Sequence, residues 1–109
     1  MITQNSQPPD AVFRAIADPT RREILTLLRG SQRSVGEIAE NFPMSRPAIS
    51  KHLRLLRSAG LVVTRQDGTA RVCSLNAEPL RAVGDWLGDY ESLWSEGLQN
   101  LKRYVEENP

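Results

Sequence analysis

The chain has 109 residues, 39% of them hydrophobic and 25% charged, and a formal net charge of +1. That is the size of one domain with a modest core, and the composition is that of a soluble globular protein; the lone Cys73 excludes an intrachain disulfide and a multi-cysteine metal site. The charge is unevenly placed: between Met44 and Arg71 stand Arg46, Lys51, Arg54, Arg57, Arg65 and Arg71 against Asp67 alone, while the rest of the chain is net negative, which points to an anionic partner meeting one face.

Residues 1–7 are expected to be a flexible lead, and residues 8–107 a single domain. The stretch from Met1 to Asp10 is polar, without the apolar segment of a signal peptide. No apolar run approaches the ~20 residues a membrane span needs. A cytoplasmic protein without a membrane partner is expected.

Pro8-Pro9 opens a first helix carrying Val12, Phe13 and Ile16. Asp18-Pro19, an aspartate cap followed by proline at the first helical position, starts a second. There Ile24, Leu25, Leu27 and Leu28 recur at helical spacing until Gly30 ends the element. Ser34-Val35-Gly36-Glu37 is a capping box, in which hydroxyl and carboxylate each satisfy a free backbone donor. It opens a short helix with Val35, Ile38, Ala39 and Phe42 on one face.

Pro43-Met44 turns the chain, Ser45 caps a helix running to about Ser58, and Ala59-Gly60 ends it. Two β-rich runs, Leu61 to Gln66 and Arg71 to Asn76, flank Asp67-Gly68-Thr69 and read as a hairpin. Glu78-Pro79 then starts a long last helix reaching about Glu107, with Leu80, Val83, Leu87, Tyr90, Trp94, Leu98, Leu101 and Val105 along one stripe. The predicted class is mainly α with one β-hairpin, in the order α-α-α-α-β-β-α. Two short helices joined by a tight turn and followed by a hairpin make a winged helix-turn-helix.

Counting about 100° per residue from Ile49 puts Leu53 near 40° and Leu56 near 340°, which is the buried seam. Pro47, Lys51, Arg54 and Ser58 fall opposite, with Ser50 and Arg57 on one flank and Ala48 and Leu55 on the other. The outward face is therefore small and basic, as entry into a major groove requires. Ser45 and Arg46, at the positive end of the helix, suit a phosphate, and Arg65 and Arg71 flank the hairpin tip. His52 lies near about 300°, beside the seam, where packing inside the domain and contact with DNA are both open.

The run Ser45-Arg46-Pro47-Ala48-Ile49-Ser50-Lys51-His52-Leu53-Arg54-Leu55-Leu56-Arg57-Ser58-Ala59-Gly60-Leu61-Val62 resembles the recognition-helix signature of the ArsR/SmtB family of repressors. Ala17 to Leu25 resembles that family's second-helix opening, and Arg65, Gly68 and Leu75 its wing. The resemblance implies a winged-helix dimer that binds an inverted-repeat operator and represses transcription. It carries over Ser45, Arg46, Pro47, Ala48, Ser50, Lys51, His52 and Arg54 as recognition-helix contacts, and Arg65, Gly68, Thr69 and Arg71 as wing contacts.

The chain departs from the metal-sensing members of that family. Ser34-Val35-Gly36-Glu37-Ile38-Ala39 stands where thiolate sensors carry paired cysteines, so the soft-metal ligands are missing. Asp85, Asp89 and Glu91 on the last helix have no histidine beside them, and carboxylates alone make a poor zinc site. No metal, cofactor or enzymatic activity is expected, since His52 and Cys73 form no catalytic constellation. The resemblance is therefore to the branch without a metal site, including autorepressors, with induction left to a protein or small molecule. Cys73, in a strand, reads as an apolar filler.

The stripe on the last helix is too long for one small domain to cover, so pairing with a second copy is expected. The expected dimer surface comprises Val12, Phe13 and Ile16 with Leu80, Val83, Leu87, Tyr90 and Trp94. The alternative to a DNA-binding regulator is a winged-helix protein-interaction module, which would favour an acidic or apolar surface where this chain has Lys51 and Arg54.

Overall fold

The computed structural model describes residues 10–108, so the expected lead and the Pro8-Pro9 helix opening lie outside the described residues. The elements are α1 (Asp10–Ile16), α2 (Pro19–Gly30), β1 (Arg33–Ser34), α3 (Val35–Ala39), α4 (Arg46–Ser58), β2 (Val62–Asp67), β3 (Ala70–Leu75) and α5 (Leu80–Glu107). Strand β1 is an addition to the predicted order. Arg33 pairs with Cys73 and Ser34 with Val72, extending the hairpin to a three-stranded antiparallel sheet in the order β1-β3-β2.

The helix starts follow their caps. Asp18 accepts the Arg21 backbone N–H at 3.0 Å ahead of Pro19. Ser34 and Glu37 complete the reciprocal capping box, with bonds of 3.1 and 2.8 Å. Ser45 accepts the Ala48 N–H at 3.2 Å and so fixes where α4 begins. Its end is fixed by Gly60, at φ +78°: Leu61 N–H reaches the Leu56 carbonyl and Gly60 N–H that of Arg57, both at 2.9 Å. This is a Schellman closure, which needs a left-handed residue that glycine supplies without a Cβ clash.

The core is made by one stripe from each short helix. Ile24, Leu25 and Leu28 of α2, Val35 and Ile38 of α3, and Ile49, Leu53 and Leu56 of α4 close around Leu61, Val62 and Cys73. Burying a side chain of this kind stabilises by about 1.5–3 kcal/mol relative to leaving it in water. Packing α4 by this seam leaves its opposite side, with Pro47, Lys51, Arg54 and Ser58, exposed.

Helix α5 is different. Its 28 residues, about 42 Å of helix, include no buried residue. Leu80 packs against the core and Trp86 against Phe13, ring centroids 5.3 Å apart. Further along, Leu93, Trp94, Leu98, Leu101, Tyr104 and Val105 are all more than half exposed. Val12 contrasts with them. At 2% exposure it is spent inside its own chain and is not available to a second copy, correcting its placement on the dimer surface.

Candidate nucleic-acid interface

The hairpin brings the wing back beside α4. Its two-residue turn is Gly68-Thr69, between the Asp67–Ala70 pair, and Gly68 takes φ +64°. Thr69 has no positive φ, so the turn has the φ signs of type II′, which wants glycine first. In this register Arg71 lies opposite Gln66, on the face that also carries Thr64 and Cys73. Arg65 lies opposite Val72 on the other face.

The consequence is a polar cleft of about 290 Å³ between α4 and the wing. Arg46, Ser50, Arg54 and Arg57 line it from the helix, Thr69 and Arg71 from the wing, and Val35 and Leu53 lie at its base. The Arg46 guanidinium lies 3.8 Å from where a Cβ on Gly36 would stand, ordinary contact distance, which places it against the start of α3. Four guanidinium groups around one cleft repel one another unless an anion separates them. Among the described residues the arginine–carboxylate ion pairs are Arg65–Asp67 and Arg81–Glu78, so none of the four arginines of the cleft is paired.

A second cleft, about 400 Å³, runs along the other flank of α4 and is lined by Arg21, Ala48, Lys51, His52, Arg54 and Leu55. Arg54 stands between the two. Helix α4 thus presents Pro47, Lys51 and Arg54 outward, with Ser50 on one side and Ala48 on the other. The charges can meet phosphates while the small side chains let base edges approach.

The structure divides the candidate residues. Arg46, Ser50, Arg54, Thr69 and Arg71 come together in the first cleft, and Ala48, Lys51 and His52 with Arg54 border the second. Ser45 is committed to its cap, and Pro47 is exposed at the opening of α4. Gly68 shapes the tip. Arg65 stands apart on the other face, 3.6 Å from Asp67. His52, half-buried, turns Nδ1 toward Arg21 Nη1 at 3.1 Å, so one side of the ring belongs to the protein.

Arg57 was missing from the expected contacts and lines the first cleft. The signal was its place beside Ser50 on the helix flank, but only the folded-back wing turns that flank into a site. Cys73 is fully buried behind this surface. Burial pushes its thiol pKa up, despite the opposing fields of Arg57 and Arg71. Asp85, Asp89 and Glu91 remain on the exposed side of α5, and among the described residues no three His, Cys, Asp or Glu side chains gather as a metal site.

Comparison with known proteins agrees with this geometry. Residues 18–64 match the family described as bacterial regulatory protein, arsR family. The chain is 38% identical to the HTH-type transcriptional regulator Rv2034 of Mycobacterium tuberculosis, over 90% of its own length and 89% of that protein. It is 43% identical to the transcriptional repressor SdpR of Bacillus subtilis, over 70% of its length and 84% of that protein. The solved structure of an ArsR-like transcriptional regulator from Rhodococcus sp. RHA1 is similar with a TM-score of 0.71, at 32% identity and 92% coverage of both chains.

Proposed function

The chain belongs to the ArsR family of bacterial regulatory proteins, as a DNA-binding transcriptional regulator of the winged helix-turn-helix class, and we propose that it acts as a homodimeric repressor on an inverted-repeat operator in the cytoplasm. The observation that carries this reading is the unpaired arginine cleft between α4 and the wing. Arg46, Arg54, Arg57 and Arg71 converge there without a carboxylate to neutralise them. A duplex backbone supplies regularly spaced anions, while the outward face of α4 is narrow enough to follow the major groove.

We assign backbone contacts to Arg46, Arg57, Thr69 and Arg71, and groove contacts to Ala48, Ser50, Lys51 and Arg54. Arg65 and Gly68 at the wing serve a neighbouring stretch of the duplex. Residues 8–107 act as one domain in this reading, with α1 and α5 as the dimer-forming helices. A second copy explains why α5 keeps Leu87, Tyr90, Trp94 and Leu98 at its surface. Leu87, Trp94 and Leu101 recur at sevens, the spacing that suits a partner helix. Phe13, Ile16, Leu80 and Val83, each partly buried, support the base of that surface. Two α4 helices about 34 Å apart would read one turn of a palindromic site. No helix among the described residues is long and apolar enough to cross a membrane.

The test is a gel shift of the upstream region of the protein's own gene across a salt series. Specific binding that weakens steeply with salt is the expected result. No binding to any promoter fragment, or binding indifferent to salt, would reject the reading.

A further inference from the structure

Arg21 sits where three helices meet. Its Nε donates to the Ala15 carbonyl and its Nη2 to the Arg14 carbonyl, each at 2.8 Å, so the guanidinium closes the C-terminal end of α1. Its Nη1 lies 3.1 Å from His52 Nδ1 on α4. Asp18, whose Oδ2 takes the Arg21 backbone N–H at 3.0 Å, stands 3.9 Å from the same ring nitrogen.

This geometry decides the state of the ring. A guanidinium has donors and no acceptor, so Nδ1 must accept, and neutral His52 carries its proton on Nε2. Among the described residues Nε2 has no partner, and no buried side-chain nitrogen or oxygen lacks one. Nε2 is therefore open to solvent. His52 borders the cleft it shares with Ala48, Lys51 and Arg54, on the Ala48 flank of α4, where an anion would find two cations and this N–H together.

We propose that Arg21 is a positioning residue for DNA binding: it ties the end of α1 to α4 and locks His52 as an Nε2–H donor aimed at a backbone phosphate. Because α1 also carries Phe13 to Trp86 of α5, the same guanidinium joins the helices assigned to the dimer to the surface assigned to DNA. A shift of α1 against α4 must break its bonds to Arg14 and Ala15 or its bond to His52. The phosphate contact rests on the DNA-binding reading above; the lock on the ring does not.

The experiment has two arms. In the free, ¹⁵N-labelled protein at alkaline pH, the ring nitrogens of His52 report the tautomer. The wild type is expected to be Nε2–H, and Arg21→Gln to become a mixture. On operator DNA, Arg21→Gln is expected to bind about tenfold more weakly, a loss of ~1.4 kcal/mol. His52→Gln, which keeps an amide donor near the Nε2 position, should retain most of the affinity, and His52→Asn should lose it. Adding Arg21→Gln to His52→Asn should cost nothing more.

An unchanged tautomer in Arg21→Gln, or an equal loss of binding in the His52→Asn background, would overturn the proposal. If Arg21→Gln does not fold, Arg21→Lys replaces it, since one ammonium group cannot span both α1 carbonyls and the ring. A wild type that binds no DNA would remove the phosphate contact together with the functional reading, while the tautomer would still decide whether Arg21 holds His52.

Discussion

Phe13 and Trp86 meet edge to face, their centroids 5.3 Å apart and their planes 83° to one another, and this contact fixes the start of α5 against α1. Tyr90 continues the stack at 5.5 Å from Trp86. Past it the helix runs on with its apolar side uncovered, Trp94 at 55% and Leu98 at 68% exposure.

Leu98→Asp is therefore expected to break the dimer and spare the winged domain. Burial of one leucine is worth about 1.5–3 kcal/mol and a two-fold interface counts it twice, so the dissociation constant should rise by roughly a hundredfold or more. Sedimentation would read the monomer, and operator affinity should fall with it. A variant that stays dimeric would move the interface away from α5.

The arginines of the first cleft should separate from Arg65. Arg57→Ala and Arg71→Ala are each expected to weaken DNA binding by about tenfold and to lower the salt slope by about one. Arg65→Ala should cost less, because Arg65 sits on the other face of the hairpin and is held by Asp67. Arg57→Ala should leave the melting temperature unchanged or raised, since it relieves repulsion among unpaired like charges. Fluorescence anisotropy over a salt series, with a thermal melt of each variant, checks both effects.

Cys73 should be chemically silent in the folded protein. Full burial and a raised pKa keep the thiolate scarce and out of reach. Alkylation is expected to be slow under native conditions and fast in denaturant, and oxidant should leave operator binding unchanged. Rapid native modification would mean that the sheet opens around β3.

Two helix caps make stability depend on acid. The Arg21 backbone N–H, chiefly, holds the Asp18 carboxyl below its usual range; burial opposes this and the charges of His52 and Arg21 assist. Glu37 is lowered in the same way, chiefly by the Ser34 backbone N–H. A carboxylate with a lowered folded pKa contributes stability above its unfolded value of about 4 and loses it as pH falls through the folded value. Asp18→Ala is thus expected to cost ~1 kcal/mol at neutral pH, with the gap to wild type closing below about pH 4. Denaturant titrations at neutral and acid pH measure both.

What the sequence made legible was whatever a single helix or turn decides. The seam of Ile49, Leu53 and Leu56 follows from helical spacing, and with it the outward side of Lys51 and Arg54. Asp18, Ser34 and Ser45 mark their helix starts because a cap is a local bond. Relationships between elements were not legible. Arg57 joins the cleft only because the hairpin folds back on α4. The partners of His52 stand at the start of α2, Asp18 as its cap and Arg21 in its first turn, and no spacing rule connects them to α4. Strand β1, two residues long, has no room for a period. Val12 shares the apolar side of α1 with Phe13, yet the first is consumed by the core and the second reaches α5.

The most direct measurement of the whole account is a hydroxyl-radical footprint of the purified protein on its own upstream region. Two protected half-sites of related, inverted sequence are expected, with centres about 34 Å or one helical turn apart, and both should vanish together for Leu98→Asp. A single protected patch, or protection that persists unchanged in that variant, would contradict a paired reading of DNA by two copies of α4.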